Sequence, residues 1–258
     1  MRLSWSSKTV NMFLLALTYA YFSGSTIRNP LEILGGMILV CALCGALYSL
    51  NDLTDLKSDK DNPAKQDRAF IKEDIGKNRI VTFIVSLISI IFIISIFTLD
   101  IYFTIILALM VVNQIIYTIP PIRLKNTVLA PFASTANNSV LRIASCCILL
   151  GNPFIVPPSV YIFMYTASLG TYLMYKGIPK IASIVGVLSG VILIYIFYLG
   201  DINLIQLSVA ILPALLAGVP LYLSLFLSKD RMSNLADVLY HKVALVFFLI
   251  CIFYILFF

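Results

Sequence analysis

Asn51, Asp52, Asp55 and Asp59 stand where an apolar stretch, residues 31–50, gives way to polar sequence. The three aspartates are spaced i, i+3 and i+7. At about 100° per residue they leave one helix face at roughly 0°, 300° and 340°. Carboxylates converging at an apolar boundary repel one another and call for a cation. The chain has one histidine, and all five cysteines lie inside apolar stretches, so soft-metal chemistry is disfavoured. Oxygen ligands in this number suit Mg²⁺, which keeps several waters and is commonly shared between a few carboxylates and substrate phosphates. The implied chemistry is metal-assisted handling of a phosphate-bearing substrate, with Asp52, Asp55 and Asp59 as both catalytic and metal-holding residues.

Further polar side chains interrupt segments that are otherwise apolar. Asn113 and Tyr117 are spaced i, i+4, as are Asn138 and Arg142, with Asn137 beside them. Such pairs share a helix face. One reading is hydrogen-bonding glue between helices. The other is the lining of a pocket, and Arg142 favours it, because an arginine at membrane depth faces a cavity, a partner or a water path. Pro120-Pro121 stops a helix. It holds Arg123 and Lys125 at the surface, on the same side as the aspartates. Two cations opposite three carboxylates could cradle a diphosphate, with metal on one flank and bases on the other. Snorkelling lysines and arginines are the plainer explanation of the same two residues. Lys65 and Arg68, in the acid- and base-rich stretch that follows the aspartates, are further candidates against a background of ordinary solvated charge.

These groups need a scaffold, and composition fixes its class. Hydrophobic residues make up 60% of the 258 and charged ones 12%, which excludes an ordinary soluble domain. Apolar stretches long enough for a bilayer recur at about 9–27, 31–50, 79–99, 101–119, 128–150, 157–175, 181–200, 203–227 and 241–258. Backbone groups in lipid must pair internally, so these are helices. No alternation of the membrane β-barrel kind is present. The expected fold is an all-α polytopic membrane protein of nine transmembrane helices, one domain over residues 1–258. Lysine and arginine fall in alternate connections: Arg2 and Lys8; seven between 57 and 79; Arg123 and Lys125; Lys176 and Lys180; Lys229, Arg231 and Lys242. The opposite connections hold only Arg28. By the positive-inside rule the N-terminus is cytoplasmic, and in a prokaryote the protein sits in the plasma membrane. The net charge of +6 therefore reports topology and a lipid-facing surface rather than nucleic-acid binding. Cys41 and Cys44 have C-x-x-C spacing but apolar neighbours, and read as packing residues. His241, at a helix start, is given no catalytic role.

Taken together the residues resemble the UbiA superfamily of intramembrane prenyltransferases. The first motif of that family, N-D-x-x-D-x-x-x-D, is complete here as Asn51, Asp52, Asp55 and Asp59. Lys65-Gln-Asp-Arg68-Ala69 stands where the family has an arginine-bearing stretch, and Tyr117 to Lys125 resembles its Y-[ST]-x-P-x-[RK]-x-K segment. The resemblance implies helices around a central cavity, capped by the motif-bearing loops. It also implies Mg²⁺-dependent ionisation of a polyprenyl diphosphate within the membrane lipids, and transfer of the prenyl group to a lipophilic acceptor.

One departure is large. The family's second aspartate-rich motif belongs between helices 6 and 7, where this chain has Tyr172-Leu-Met-Tyr175-Lys176-Gly-Ile-Pro-Lys180. No acid occurs anywhere from 101 to 200. Lys176 and Lys180 could contact the diphosphate in place of a second metal. Alternatively one protein-held ion suffices, or catalysis is lost and binding kept. A terpene cyclase on the same scaffold and a non-catalytic lipid-binding or transport protein are the alternatives to prenyl transfer. Tyrosine faces or Asn138 would steady an allylic cation.

Overall fold

The computed structural model describes residues 6–25, 27, 29–60, 76–133, 135–224 and 227–258, with 57–60, 135, 229 and 230 described by backbone alone. Lys65 and Arg68 lie outside the described residues, as does the side chain of Asp59. The described residues form helices joined by turns and short connections, with no strand among them. The helices are α1 (Ser7–Phe22), α2 (Pro30–Lys60), α3 (Lys77–Thr98), α4 (Ile101–Thr118), α5 (Thr135–Leu149), α6 (Pro158–Tyr175), α7 (Pro179–Tyr198) and α8 (Leu204–Leu223). The last, α9, joins Lys229–Val238 to Ala244–Phe257 through a π-helical turn at Leu239–Val243. A second π turn, Leu207–Ile211, interrupts α8.

Local chemistry sets the boundaries. Asp100 caps α4 by accepting from the Tyr102 N–H at 2.6 Å. Asn203 and Gln206 form a reciprocal capping box that starts α8. Prolines at the first positions of α6 and α7 carry a backbone already set for a helix start. Gly177 takes φ +74, the left-handed turn that lets α6 end at Tyr175 and α7 begin at Pro179.

Among the described residues six helices are long and apolar enough to cross a membrane: α2 (as Pro30–Leu56), α3, α4, α7, α8 and α9 (as Arg231–Phe257). The sequence leads one to expect nine such spans. α1 and α5 are short, at 16 and 15 residues, because α1 ends at Phe22 and because 130–133 form a 3-10 turn that delays α5 to Thr135. α6 is interrupted by serine, threonine and tyrosine. These three are the inner helices. α1 is buried from Thr9 to Ala20 and packs on α5, α9 and α2. α3 and α7 instead expose most of their apolar side chains, as lipid-facing helices must. A second difference concerns α2. The apolar stretch ends at residue 50, yet the helix runs on to Lys60. The aspartates thus stand at helical spacing on one continuous helix.

Candidate functional site

The segment after α4 folds back over the last turns of α2. Arg123 takes φ +35, an unusual backbone for a side chain with a Cβ, and a 3-10 turn follows at Leu124–Asn126. The turn drives Lys125 onto α2. Its Nζ donates to Asp55 Oδ1 at 2.6 Å, to Thr54 Oγ1 at 3.1 Å and to Asn51 Oδ1 at 3.3 Å. Arg123 Nη2 donates to the same Asp55 oxygen at 3.1 Å. The Lys125 side chain is 5% exposed, Asp55 22% and Arg123 31%. Burial pushes the Lys125 ammonium below the ordinary lysine pKa, and Asp55 pulls it the other way. Asp52 is half-buried on the same stretch of helix.

A wall of aromatic and basic groups stands beside this cluster. Tyr117 and Tyr172 share a hydroxyl–hydroxyl hydrogen bond at 3.1 Å. Lys176 Nζ lies 5.8 Å from the centre of the Tyr172 ring, and its charge acts on Lys125. Lys180 opens α7 as an exposed residue and joins none of these contacts. Deeper in the bundle, Asn113 Nδ2 donates to Asn138 Oδ1 at 3.0 Å and Asn137 Nδ2 donates to Asn113 Oδ1 at 3.1 Å. Arg142 is fully buried. Its Nη2 donates to Cys44 Sγ at 3.2 Å and to the Tyr48 hydroxyl at 3.3 Å, while Nε and Nη1 have no protein partner among the described residues.

The sequence-derived candidates thus sort into groups. Asn51, Asp55, Arg123 and Lys125 come together as one cluster, and Tyr117, Tyr172 and Lys176 adjoin it. Asn113 and Asn138 are bonded to each other, as the glue reading has it. Arg142 faces α2 instead, below the aspartates, with two buried donors unspent. The cations do not stand across a gap from the carboxylates; they grip Asp55 directly. Among the described residues no three acids, cysteines or histidines converge as a cage. Among the described side chains the donors on hand are Asp52, Asp55 and the Asn51 amide oxygen. That set is too small to hold Mg²⁺ alone but fits an ion that takes its other ligands from water and phosphate.

A chamber of about 520 Å³ lies beyond α5, bounded by α1 and α6–α9. Lys8, Asn11, Tyr175, Tyr240 and His241 line it. Nothing in the sequence marks these residues as neighbours: Ser7 and His241, hydrogen-bonded through Oγ and Nδ1, are 234 positions apart.

The fold is that of UbiA homologues. The chain is similar to an apo UbiA homologue from Aeropyrum pernix K1, at TM-score 0.70 and 14% identity, over 94% of this chain and 96% of that one. It is similar to a UbiA homologue from Archaeoglobus fulgidus bound to GPP and Mg²⁺, at TM-score 0.71 and 12% identity, over 99% and 98%. A digeranylgeranylglyceryl phosphate synthase aligns at TM-score 0.56 and 15% identity, over 98% and 99%. No family model and no curated protein matches the sequence.

Proposed function

We propose that the chain is an integral membrane prenyltransferase of the UbiA type. It takes a prenyl group from a polyprenyl diphosphate and delivers it to a lipophilic acceptor within the bilayer. The observation that carries this reading is the cluster of Asn51, Asp55, Arg123 and Lys125 on a fold whose solved examples include one bound to GPP and Mg²⁺. All nine helices cross the membrane in this reading, with the N-terminus in the cytoplasm. The aspartate-bearing end of the bundle then faces the compartment where soluble diphosphates are made.

The resting ion pairs define how the site loads. A diphosphate offers Lys125 and Arg123 several anionic oxygens in place of one carboxylate. Their transfer to phosphate releases Asp55 toward a metal, with Asp52 and Asn51 beside it. Mg²⁺, when bound, neutralises charge on the leaving diphosphate. The carbon–oxygen bond of the prenyl diphosphate breaks with its electron pair going to diphosphate, and Lys125, Arg123 and Lys176 hold the charge that develops. The Tyr117–Tyr172 pair presents ring surface to the allylic cation. The helices keep water away from it. The acceptor then supplies the electron pair of the new bond and gives up a proton.

Purified protein incubated with geranyl diphosphate, Mg²⁺ and a membrane lipid extract should release diphosphate and yield a prenylated lipid. Asp55→Asn should abolish both while the protein stays folded. Release of diphosphate with a cyclic hydrocarbon and no prenylated lipid would move the assignment to a cyclase. No consumption of prenyl diphosphates of any chain length would reject the enzyme reading.

A further inference from the structure

The connection between α4 and α5, residues 119–133, is inverted for a solvated loop. Its only charged residues are Arg123 and Lys125, and both turn inward to Asp55. Its large apolar side chains turn outward. Ile122, Leu129 and Phe132 are more than half exposed, and Val128 is 93% exposed. The 3-10 turn at Ala130–Ala133 makes the inversion plain. At three residues per turn Leu129 and Phe132 fall on one edge, and Ala130 and Ala133 on another. The small alanines are the buried pair. A turn facing water would bury the leucine and the phenylalanine instead.

α4 fixes the level at which this face lies. Its 18 residues rise about 27 Å, close to the ~30 Å of a hydrocarbon core. The chain therefore leaves α4 at the membrane boundary. Ile105, Leu109, Val112 and Ile115 are exposed at helical spacing along α4, where a membrane span meets lipid. The apolar residues from Ile122 to Phe132 continue that surface directly beyond the end of the helix. The backbone suits a water-poor layer, in which unpaired polar groups are costly. The N–H groups of Arg123, Asn126, Thr127, Leu129, Ala130 and Phe132 are all bonded within the segment. Pro120, Pro121 and Pro131 have no N–H to satisfy.

We propose that this connection is an interfacial anchor. Ile122, Val128, Leu129 and Phe132 sit in the boundary between lipid headgroups and acyl chains, and from there hold Arg123 and Lys125 on Asp55. The occupant of the face is the bilayer itself. The four outward side chains carry no polar group for a protein partner to read, and they extend a surface that already faces lipid. The anchor rests on the embedding of the helices in a membrane and not on prenyl transfer. It makes the geometry of the basic pair a property of protein and bilayer together.

The test uses the full chain in phosphatidylcholine vesicles. Trp5→Phe removes the single native tryptophan, and Val128→Trp or Phe132→Trp places one on the anchor. Lipids brominated near the carbonyl end of the acyl chain should quench both, and parallax analysis should set the rings about 5–10 Å into the headgroup–acyl boundary. Aqueous iodide should quench them far less than it quenches N-acetyltryptophanamide. Lys125, with a side chain only 5% exposed, should react slowly with a water-soluble acetylating reagent, as read by peptide mass spectrometry. It should react at least about tenfold faster when Val128→Asp and Phe132→Asp are combined, the scale of moving one such side chain from lipid to water. The tryptophan variants keep the face apolar and carry the test should the aspartate pair fail to insert. Iodide quenching as strong as that of the free compound would overturn the proposal, since the face would then lie in water. Quenching by neither iodide nor brominated lipid would overturn it too, with protein as the cover. Acetylation of Lys125 unmoved by the aspartate pair in inserted protein would equally overturn it, because the basic pair would then stand without the bilayer. None of these readouts involves a prenyl diphosphate, so loss of the prenyl-transfer reading leaves the anchor standing.

Discussion

Lys125→Met gives a signature that a merely structural lysine cannot produce. Lys125 holds Asp55 through a 2.6 Å contact made by a side chain only 5% exposed, so in the proposed mechanism it competes with metal for that carboxylate. In the same mechanism it supplies a cation for the incoming diphosphate. A lost charge-assisted contact to phosphate costs about 2 kcal/mol, or roughly 30-fold in the Kd for geranyl diphosphate. The opposite change is expected for metal without substrate. A pair with this burial lies between the surface value of about 0–1 kcal/mol and the several kcal/mol of a fully buried one. Its removal should therefore tighten Mn²⁺ binding by about tenfold. Arg123, 31% exposed and 3.1 Å from the same oxygen, remains and limits the gain. Methionine keeps the length of the stem and its packing. Mn²⁺ affinity is read from the electron paramagnetic resonance of the free ion, and substrate affinity from calorimetry with Mg²⁺ present. If both affinities fall together, or if Mn²⁺ binding is unmoved while diphosphate binding weakens, Lys125 does not exchange between carboxylate and phosphate.

Three further outcomes follow from the same geometry. Arg142→Met replaces a fully buried charge that has two unpartnered nitrogens, so the thermal midpoint should hold or rise, as for other buried charges replaced by apolar groups. Turnover should nevertheless drop about tenfold or more if those nitrogens serve a ligand; a lower midpoint with normal turnover per folded molecule would make Arg142 structural. Lys176→Ala should weaken geranyl diphosphate binding and Lys180→Ala should not, because only Lys176 sits beside Tyr172 and Lys125; equal effects in a titration would return both lysines to surface charge. The depressed pKa of Lys125 sets an alkaline dependence. Between its folded and unfolded pKa values the unfolded chain binds more protons, so this group's contribution to stability rises with pH in that window. Diphosphate affinity falls over the same window as the ammonium is lost. Thermal midpoints and Kd values measured across the window should show both slopes, and Lys125→Met should flatten them.

The aspartate motif is legible because its information is local. A spacing of i, i+3 and i+7 at the end of an apolar run predicts one helix face, and α2 continues through Lys60 to realise it. The basic pair after Pro120-Pro121 is legible as to side, since the connection is short. Its embrace of Asp55 is not, because that depends on the left-handed backbone at Arg123, and no composition rule requires a non-glycine residue to adopt it. Asn138 and Arg142 illustrate a different limit. The shared face at i, i+4 is correct, but Asn138 is turned to α4 and Arg142 to α2. The chamber was hidden for a third reason. Its polar residues come from the beginning of α1, the end of α6 and the start of α9, and the π turn that carries Tyr240 and His241 leaves no period in the sequence.

The basic groups around Asp55 bear on the missing second aspartate motif. A second metal is needed where a diphosphate would otherwise face too little positive charge. Here Arg123, Lys125 and Lys176 gather on one side of the cluster, and buried Arg142 lies below it with two donors unspent. Fixed cations differ from a second Mg²⁺ in one respect: they repel one another when no substrate is present, and need an internal anion. Asp55 supplies it, bonded to two of them at once. In the proposed mechanism the same carboxylate stabilises the resting site and becomes available to metal only as diphosphate draws the cations off. Loading of substrate and metal would then be coupled rather than independent. Mn²⁺ titrations at rising geranyl diphosphate should show each ligand tightening the other by the same factor, as linkage requires. Independent binding of the two would mean that the charge lost with the second motif is made up elsewhere.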